Sequence, residues 1–286
     1  METTANQEQI RYWNEQGGPR WVQMQQQLDA QISQLGLLTM QRAAVQPGEQ
    51  VLDVGCGCGQ TALELAERVG PQGAVLGVDI SEPMLTRARE RQSERGLKNL
   101  TFLQADAQTH QFGSSCFDLV FSRFGVMFFE NPTAAFANLH SAVRPGGRLC
   151  FVCWQALDKN EWARVPLAAA TRHVPLPAPA SPDAPGPFAF ANPDRVRSLL
   201  EAGGFNDVSL EPHQAALTMG GAKTIAEAVD FTLEIGPVSR VLVDVSAAIR
   251  ARVAEELRLA LAPYANENGV SLGGAVWIVT ARAKPR

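Results

Sequence analysis

Apolar positions along the chain switch between two spacings, and each switch predicts an element. Over residues 8–40, Trp21, Met24 or Gln25, Leu28, Ile32 and Leu35 recur every three or four residues, with the glutamines at 23 and 25–27 on the wet side. Gly17-Gly18-Pro19 interrupts this pattern, so two helical pieces are expected, at roughly 6–15 and 19–36. From residue 50 short apolar runs alternate with helical stretches. Strands are predicted at 50–54, 74–79, 99–103, 117–122 and 148–154, and helices at 60–69, 82–95 and 132–143. Thr61 and Glu64 have the spacing of a capping box, and Ser81 stands as a cap ahead of Pro83. Apolar strands joined by helices predict a parallel sheet covered on both faces, and right-handed crossovers make it doubly wound.

The rhythm breaks at 155–192, where six prolines between Pro175 and Pro187 exclude a helix or central strand and predict a lid or a solvated decoration. A helix at 193–203 and a strand from 205 follow. Residues 224–235 and 238–262 again read as helices. The second carries Val238, Val241, Leu242, Val245, Ile249, Val253, Leu257 and Leu261 along one stripe, which could pair two chains or close a lid. The last strand, about 274–282, is expected to run antiparallel to a strand at 205–218. The chain therefore divides into an N-terminal helical cap (1–46), a strand–helix core (47–154), a proline-rich lid or insertion (155–192), and the rest of the sheet (193–286) with a helical insertion at about 223–268.

The 286 residues are 45% hydrophobic and 19% charged, enough for one large domain with an insertion. The net charge of −4 and the absence of a basic block argue against nucleic acid as a partner. Met1 to Gln9 is polar and is not a secretory signal, and no run approaches the ~20 apolar residues that span a bilayer. Five cysteines without a disulfide framework point to a reducing cytoplasm. Cys150 and Cys153 are spaced like a metal or redox pair, but three residues along a strand put them on opposite faces, and no metal site is expected.

The chemistry gathers at strand ends. Val51-Leu-Asp-Val54 runs into Gly55-Cys-Gly-Cys-Gly59 and then into a helix, so bare backbone can approach a nucleotide-like ligand. Gly57 to Ala62 also fits the G-x-G-x-x-A form of a dinucleotide fingerprint. Asp53 beside the loop would repel a pyrophosphate, whereas a cationic ligand would welcome it. Asp79 ends the second strand, Asp106 follows the third and Ser122 ends the fourth, where open parallel sheets bind ligands.

This pattern resembles motif I and the following strand ends of class I S-adenosylmethionine (SAM) dependent methyltransferases, over about residues 47–154 and more weakly to 212. The resemblance implies a Rossmann-like, mostly parallel α/β sheet with an antiparallel last strand, and SAM as cofactor with S-adenosylhomocysteine as product. It places Asp53 near the methionine amino group, with Gly55, Gly57 and Gly59 along the amino-acid part. Asp79 would accept from the ribose hydroxyls, Ile80 and Met84 would pack near adenine, and Asp106 with the Ala107 backbone would read the ring. Ser122 and Arg123 would border the methionine end. Phe121-Ser-Arg-Phe-Gly125 and Val126-Met-Phe128 are similar to the small-molecule branch found in ubiquinone and menaquinone biosynthesis, without its Arg-Asn pair.

The acceptor pocket is expected among Tyr12, Trp13, Trp21, Phe124, Met127, Phe128, Trp154, Asn160, Trp162, Phe188 and Phe190, an aromatic set that suits an apolar or aromatic small molecule. No residue stands out as a general base: His110 lies beyond Asp106 and could reach a loop over the site, His140 sits late in a helix, and His173 and His213 lie in or beside variable segments, so the catalytic residue is unassigned. A SAM-binding regulatory protein and an NAD(P)-linked oxidoreductase are the competing readings. The chain is expected to act as a monomer or homodimer.

Overall fold

In a computed structural model, which describes residues 6–175, 181 and 184–284, the chain opens with helices α1 (Gln7–Glu15), α2 (Gly17–Gln23) and α3 (Gln25–Arg42). The strand–helix alternation follows as β1 (Gln50–Val54), α4 (Gln60–Val69), β2 (Ala74–Asp79), α5 (Glu82–Arg95), β3 (Leu100–Gln104), β4 (Phe117–Arg123), α6 (Pro132–Ala142) and β5 (Val143–Trp154). Then come α7 (Glu161–Ala170), α8 (Pro193–Ala202), β6 (Phe205–Thr218), α9 (Ile225–Glu234), α10 (Pro237–Val241), α11 (Ala247–Leu261), β7 (Ala265–Asn266) and β8 (Gly269–Ala283). Met1–Ala5, on which part of the leader argument rests, and residues 176–180 and 182–183 of the proline run lie outside the described residues.

The strands form one sheet in the order β3-β2-β1-β4-β5-β8-β6, with β7 paired to β8. Neighbours from β3 through β5 are parallel, while β8 runs antiparallel between β5 and β6. Chain order reverses at β1, which sits centrally with Val51, Leu52 and Asp53 fully excluded from water. The register aligns the outlets of the strands. Val54 pairs with Val78 and Asp79 with Gln104, so Gly55, Ile80 and Ala105 leave the sheet side by side.

Two apolar clusters cover the sheet's faces, one gathering Phe136, Phe151 and Phe190, the other Leu63, Leu65 and Phe121. Cys153 belongs to the first and Cys150 to the second, so the pair is split between faces; burial pushes the Cys150 thiol up to about 12. A third cluster is mainly helical. It packs α7, α9, α10 and α11 with Met219 and Leu272 and holds Phe231, Val253, Leu257 and Leu261.

Four expectations are corrected here. The helix expected over 238–262 is broken: α10 ends at Val241, Asp244 takes a positive φ of 64°, and Ser246 starts α11 by accepting from the Ile249 N–H. Its apolar stripe is no free surface, because Val253, Leu257 and Leu261 are fully buried. Residues 155–192 also contain a helix, α7, which accommodates Pro166 in its interior. The glutamines of α3 are not all wet either: Gln25 and Gln31 are buried, and Gln31 accepts from the Gly220 N–H.

Both expected caps are diverted. Gly59, in the left-handed region, is the cap of α4, and the Thr61 hydroxyl instead donates to Asp53 Oδ2 at 2.6 Å. Ser81 is the N-cap residue of α5, but its hydroxyl donates to the Trp13 carbonyl.

Candidate functional site

A cavity of about 620 Å³ opens at the carboxyl ends of β1, β2 and β3 and runs under α1, α2, α3 and α10. Its wall at the glycine loop follows from backbone geometry. Gly57 has a φ of 56°, a left-handed conformation that strains any other residue; the one atom a Cβ would crowd is the flexible end of Met84, so the backbone angle is what calls for glycine. Gly59 differs: a Cβ would meet Ala88 at 2.9 Å and Phe102 at 3.0 Å, so its bareness serves helix–sheet packing, away from the cavity.

Asp79 locks the loop. Its Oδ2 accepts from the Gly57 N–H at 2.8 Å and its Oδ1 from the Ser81 N–H at 2.9 Å. Burial pushes this carboxyl up, opposed by the backbone N–H groups of Ser81, Gly57 and Ile80. Asp106 folds its own loop by accepting from the Gln108 N–H, and its Oδ2 accepts from the Asn6 side chain at 2.8 Å. Asn6 also bridges to Glu130, accepting from its N–H and donating its own N–H to the carboxylate. Asn14 donates to the Ile80 carbonyl and accepts from the Glu82 N–H. Together these bonds tie α1 across the outlets of β2 and β3.

Of the residues expected at the donor end, Gly55, Gly57, Asp79, Ile80, Met84, Asp106, Ala107 and Arg123 line the cavity. Asp53, Gly59 and Ser122 do not. Asp53 is fully buried behind the wall, bonded to Thr61, with Oδ1 unpartnered; burial raises its pKa to about 7, against Thr61 and Arg123. Ser122 is also fully buried and donates to the Val54 carbonyl, a structural tie between β4 and β1.

Of the acceptor candidates, Tyr12, Trp13, Trp21, Phe124, Met127, Phe128, Trp154, Trp162 and Phe188 line the same cavity. Phe124 stacks on Trp154 with ring centres 4.3 Å apart, and Trp154 meets Trp162 at 4.7 Å. Trp13 makes edge contacts with Trp21 and Phe128. Phe190 and Asn160 lie outside. Phe190 packs among Phe136 and Phe151 in the core, and Asn160 is buried as a bracket between the Gln155 and Ala156 carbonyls and the Ala275 N–H.

Sequence reasoning missed a polar cluster at the far side of the glycine loop. Asp29, on α3, accepts from Gln25 and pairs with Arg91 at 2.9 Å and Arg123 at 3.9 Å. Arg123, 9% exposed, donates to Gln60, and burial pulls its pKa down against the pull of Asp29 and Asp53. Only a single acid in a glutamine-rich helix marks this cluster in the sequence. The roof formed by Ile235 to Val241 was missed as well. None of the four histidines lines the cavity.

Comparisons with known proteins bear on this geometry. A methyltransferase-domain family model matches residues 51–147. Aklanonic acid methyltransferase DauC from Streptomyces sp. (strain C5) is 41% identical over 104 residues, which is 36% of this chain and 47% of that one. Nocamycin O-methyltransferase from Saccharothrix syringae is 32% identical over 248 residues, 84% of this chain and 87% of that one. Among solved structures, the YcgJ protein of Bacillus subtilis is similar with a TM-score of 0.57 at 17% identity, covering 88% of this chain and 98% of the other. No helix among the described residues is long and apolar enough to cross a membrane.

Proposed function

This chain belongs to the class I SAM-dependent methyltransferase family, and we propose that it moves a methyl group from SAM to a small apolar or aromatic molecule. The nicotinamide reading is set aside by that membership. The carrying observation is one cavity that joins the glycine loop, Asp79 and Asp106 to the aromatic group around Phe124 and Trp154.

The wall fits the donor. In this reading Asp79 has acceptor capacity beyond its bonds to the loop N–H groups to offer a ribose diol, and Ile80 and Met84 offer an apolar slot for adenine. In this reading Asp106 accepts from an exocyclic amine, and Asp29 with Arg123 meets the two charges of an amino-acid zwitterion. When bound, SAM supplies an already activated methyl group. The chain's own task is to align the acceptor and keep water out, which the rings of Phe124, Trp154 and Trp162 accomplish by packing. The two relatives act on compounds named as an acid and as an O-methyl acceptor, which supports a small-molecule substrate here.

The test is calorimetric titration with S-adenosylhomocysteine, followed by its release from SAM across a panel of aromatic acceptors. Saturable binding with release is expected; binding without release on any acceptor would favour a regulatory SAM sensor.

A further inference from the structure

One buried amide in the cavity wall is bonded at one end only. Gln31 lies on α3, 8% exposed, beside Leu28 and Ile32, which line the same cavity. Its Oε1 accepts from the Gly220 N–H at 3.0 Å. The turn after β6 holds that N–H in place: Gly220 takes a φ of 60°, and a Cβ there would stand 2.5 Å from the Phe231 ring. A backbone N–H needs an oxygen opposite it, so the amide cannot flip, and its own N–H donors are turned away from Gly220. They have no partner among the described residues, and the nitrogen is not sealed inside the protein.

Helix geometry tells which end of the cavity this amide serves. Asp29 and Gln31 stand about 160° apart around α3, at opposite edges of the face whose middle is Leu28 and Ile32. All four residues line the cavity. The Asp29 edge turns to the glycine loop through Arg91 and Arg123. Gln25 and Gln60 are also buried in the wall, but they bond Asp29 and Arg123 and belong to that donor edge. The Gln31 edge meets Gly220, next to Met219 and Phe231 of the helical cluster. A ligand that displaces water there without replacing its bond strands the amide donors, whereas one with an oxygen at that point keeps them paired.

We propose that Gln31 selects the acceptor: its Nε2 donates to a neutral, ketone-type oxygen carried on the acceptor's ring system. This rests on the methyltransferase reading above and adds a specificity-determining residue to it. The commitment is to a neutral oxygen. An ammonium at that point would face N–H donors with none of its own charge met, and a plain hydrocarbon would leave those donors without a bond.

The experiment uses the full chain saturated with S-adenosylhomocysteine and three probes sharing one ring system: tetralone, tetralin and aminotetralin. Binding is read by equilibrium dialysis at about pH 8, where a glutamate is ionised and an alkylamine protonated. Gln31→Leu removes the donors and is expected to weaken tetralone by about fivefold or more, with tetralin held within about twofold. Gln31→Glu keeps an oxygen for the Gly220 N–H but turns the donors into an acceptor. Its melting temperature is expected to stay within about 3 °C of the parent's, while tetralone weakens by about tenfold or more and aminotetralin tightens by a similar factor. A role in the fold alone would shift all three probes together in Gln31→Leu and none of them in Gln31→Glu. That pattern, an unchanged tetralone affinity in both variants, or no tetralone binding by the parent chain would overturn the proposal. Should Gln31→Leu fail to fold, the exchange of preference in Gln31→Glu decides alone. Absence of S-adenosylhomocysteine binding, measured first on the parent chain, would instead overturn the methyltransferase reading itself.

Discussion

The donor end of the cavity is made by loops at the adjacent outlets of β1, β2 and β3, held in register by the parallel ladder and laced by backbone bonds to Asp79 and Asp106. The acceptor end is made by side chains from α1, α2, α3, the exits of β4 and β5, α7 and the α9–α10 turn, much of it resting on the helical third cluster. The first end is rigid because its parts are neighbours in the sheet. The second is an assembly of parts distant in sequence, and its shape depends on a core that the sheet does not share. A scaffold of this kind can keep its donor while its acceptor pocket drifts.

The strongest way to break that contrast is to damage the helical core alone. Leu257→Ala removes a fully buried side chain and should cost about 2–5 kcal/mol. Acceptor affinity is expected to fall before S-adenosylhomocysteine affinity does, as read by paired titrations at rising temperature. Simultaneous loss of both would mean that the two ends share one core.

Asp53 sharpens the comparison from beneath the donor end. Folding raises its pKa from 3.8 to about 7, so between those values the folded chain holds a proton that the unfolded chain has released. Its contribution is complete below about pH 4 and is lost as pH rises to about 7, by up to about 4 kcal/mol at 1.4 kcal/mol per pKa unit. Asp53→Asn should flatten this part of the stability–pH curve, followed by thermal melting at a series of pH values. An unaltered slope would relocate the proton.

Asp79→Ala should weaken S-adenosylhomocysteine binding by about 10- to 150-fold, since bonds to a charged acceptor are each worth roughly 1.5–3 kcal/mol. Calorimetry decides, and an unchanged affinity would remove Asp79 from the donor site. The smallest effect belongs to Asn6→Ala, which frees Asp106 Oδ2 and should change donor association by about two- to tenfold, measured by stopped flow.

The legibility of the chain follows the same divide. β1 to β5 could be read because each is an apolar run bounded by glycine, proline or aspartate, and a parallel sheet forces its ligand groups to the strand outlets. Asp79 and Asp106 stand at those outlets. Asp53 and Ser122 have suitable positions in the sequence, yet both turn into the sheet to bond Thr61 and the Val54 carbonyl. Nothing local distinguishes a buried carboxylate from one at the rim. The acceptor end was legible only as a collection of aromatics. Phe190 has the same composition signal as Phe188 but goes to the core. α7 was hidden by Pro166 and by the proline run after it, and Asp29 acquires its partners only through tertiary contact with Arg91 and Arg123.

The diverted cap at the start of α5 couples two elements that flank the cavity. With α1 in place, Asn14 covers the Glu82 N–H, and the Ser81 hydroxyl is occupied by the Trp13 carbonyl. The start of α5 is thus completed by a side chain of α1, and its own N-cap hydroxyl accepts no N–H from its first turn. The first turn of α5 and the helix beside the cavity mouth therefore share one set of bonds, and Asn14 stands in both.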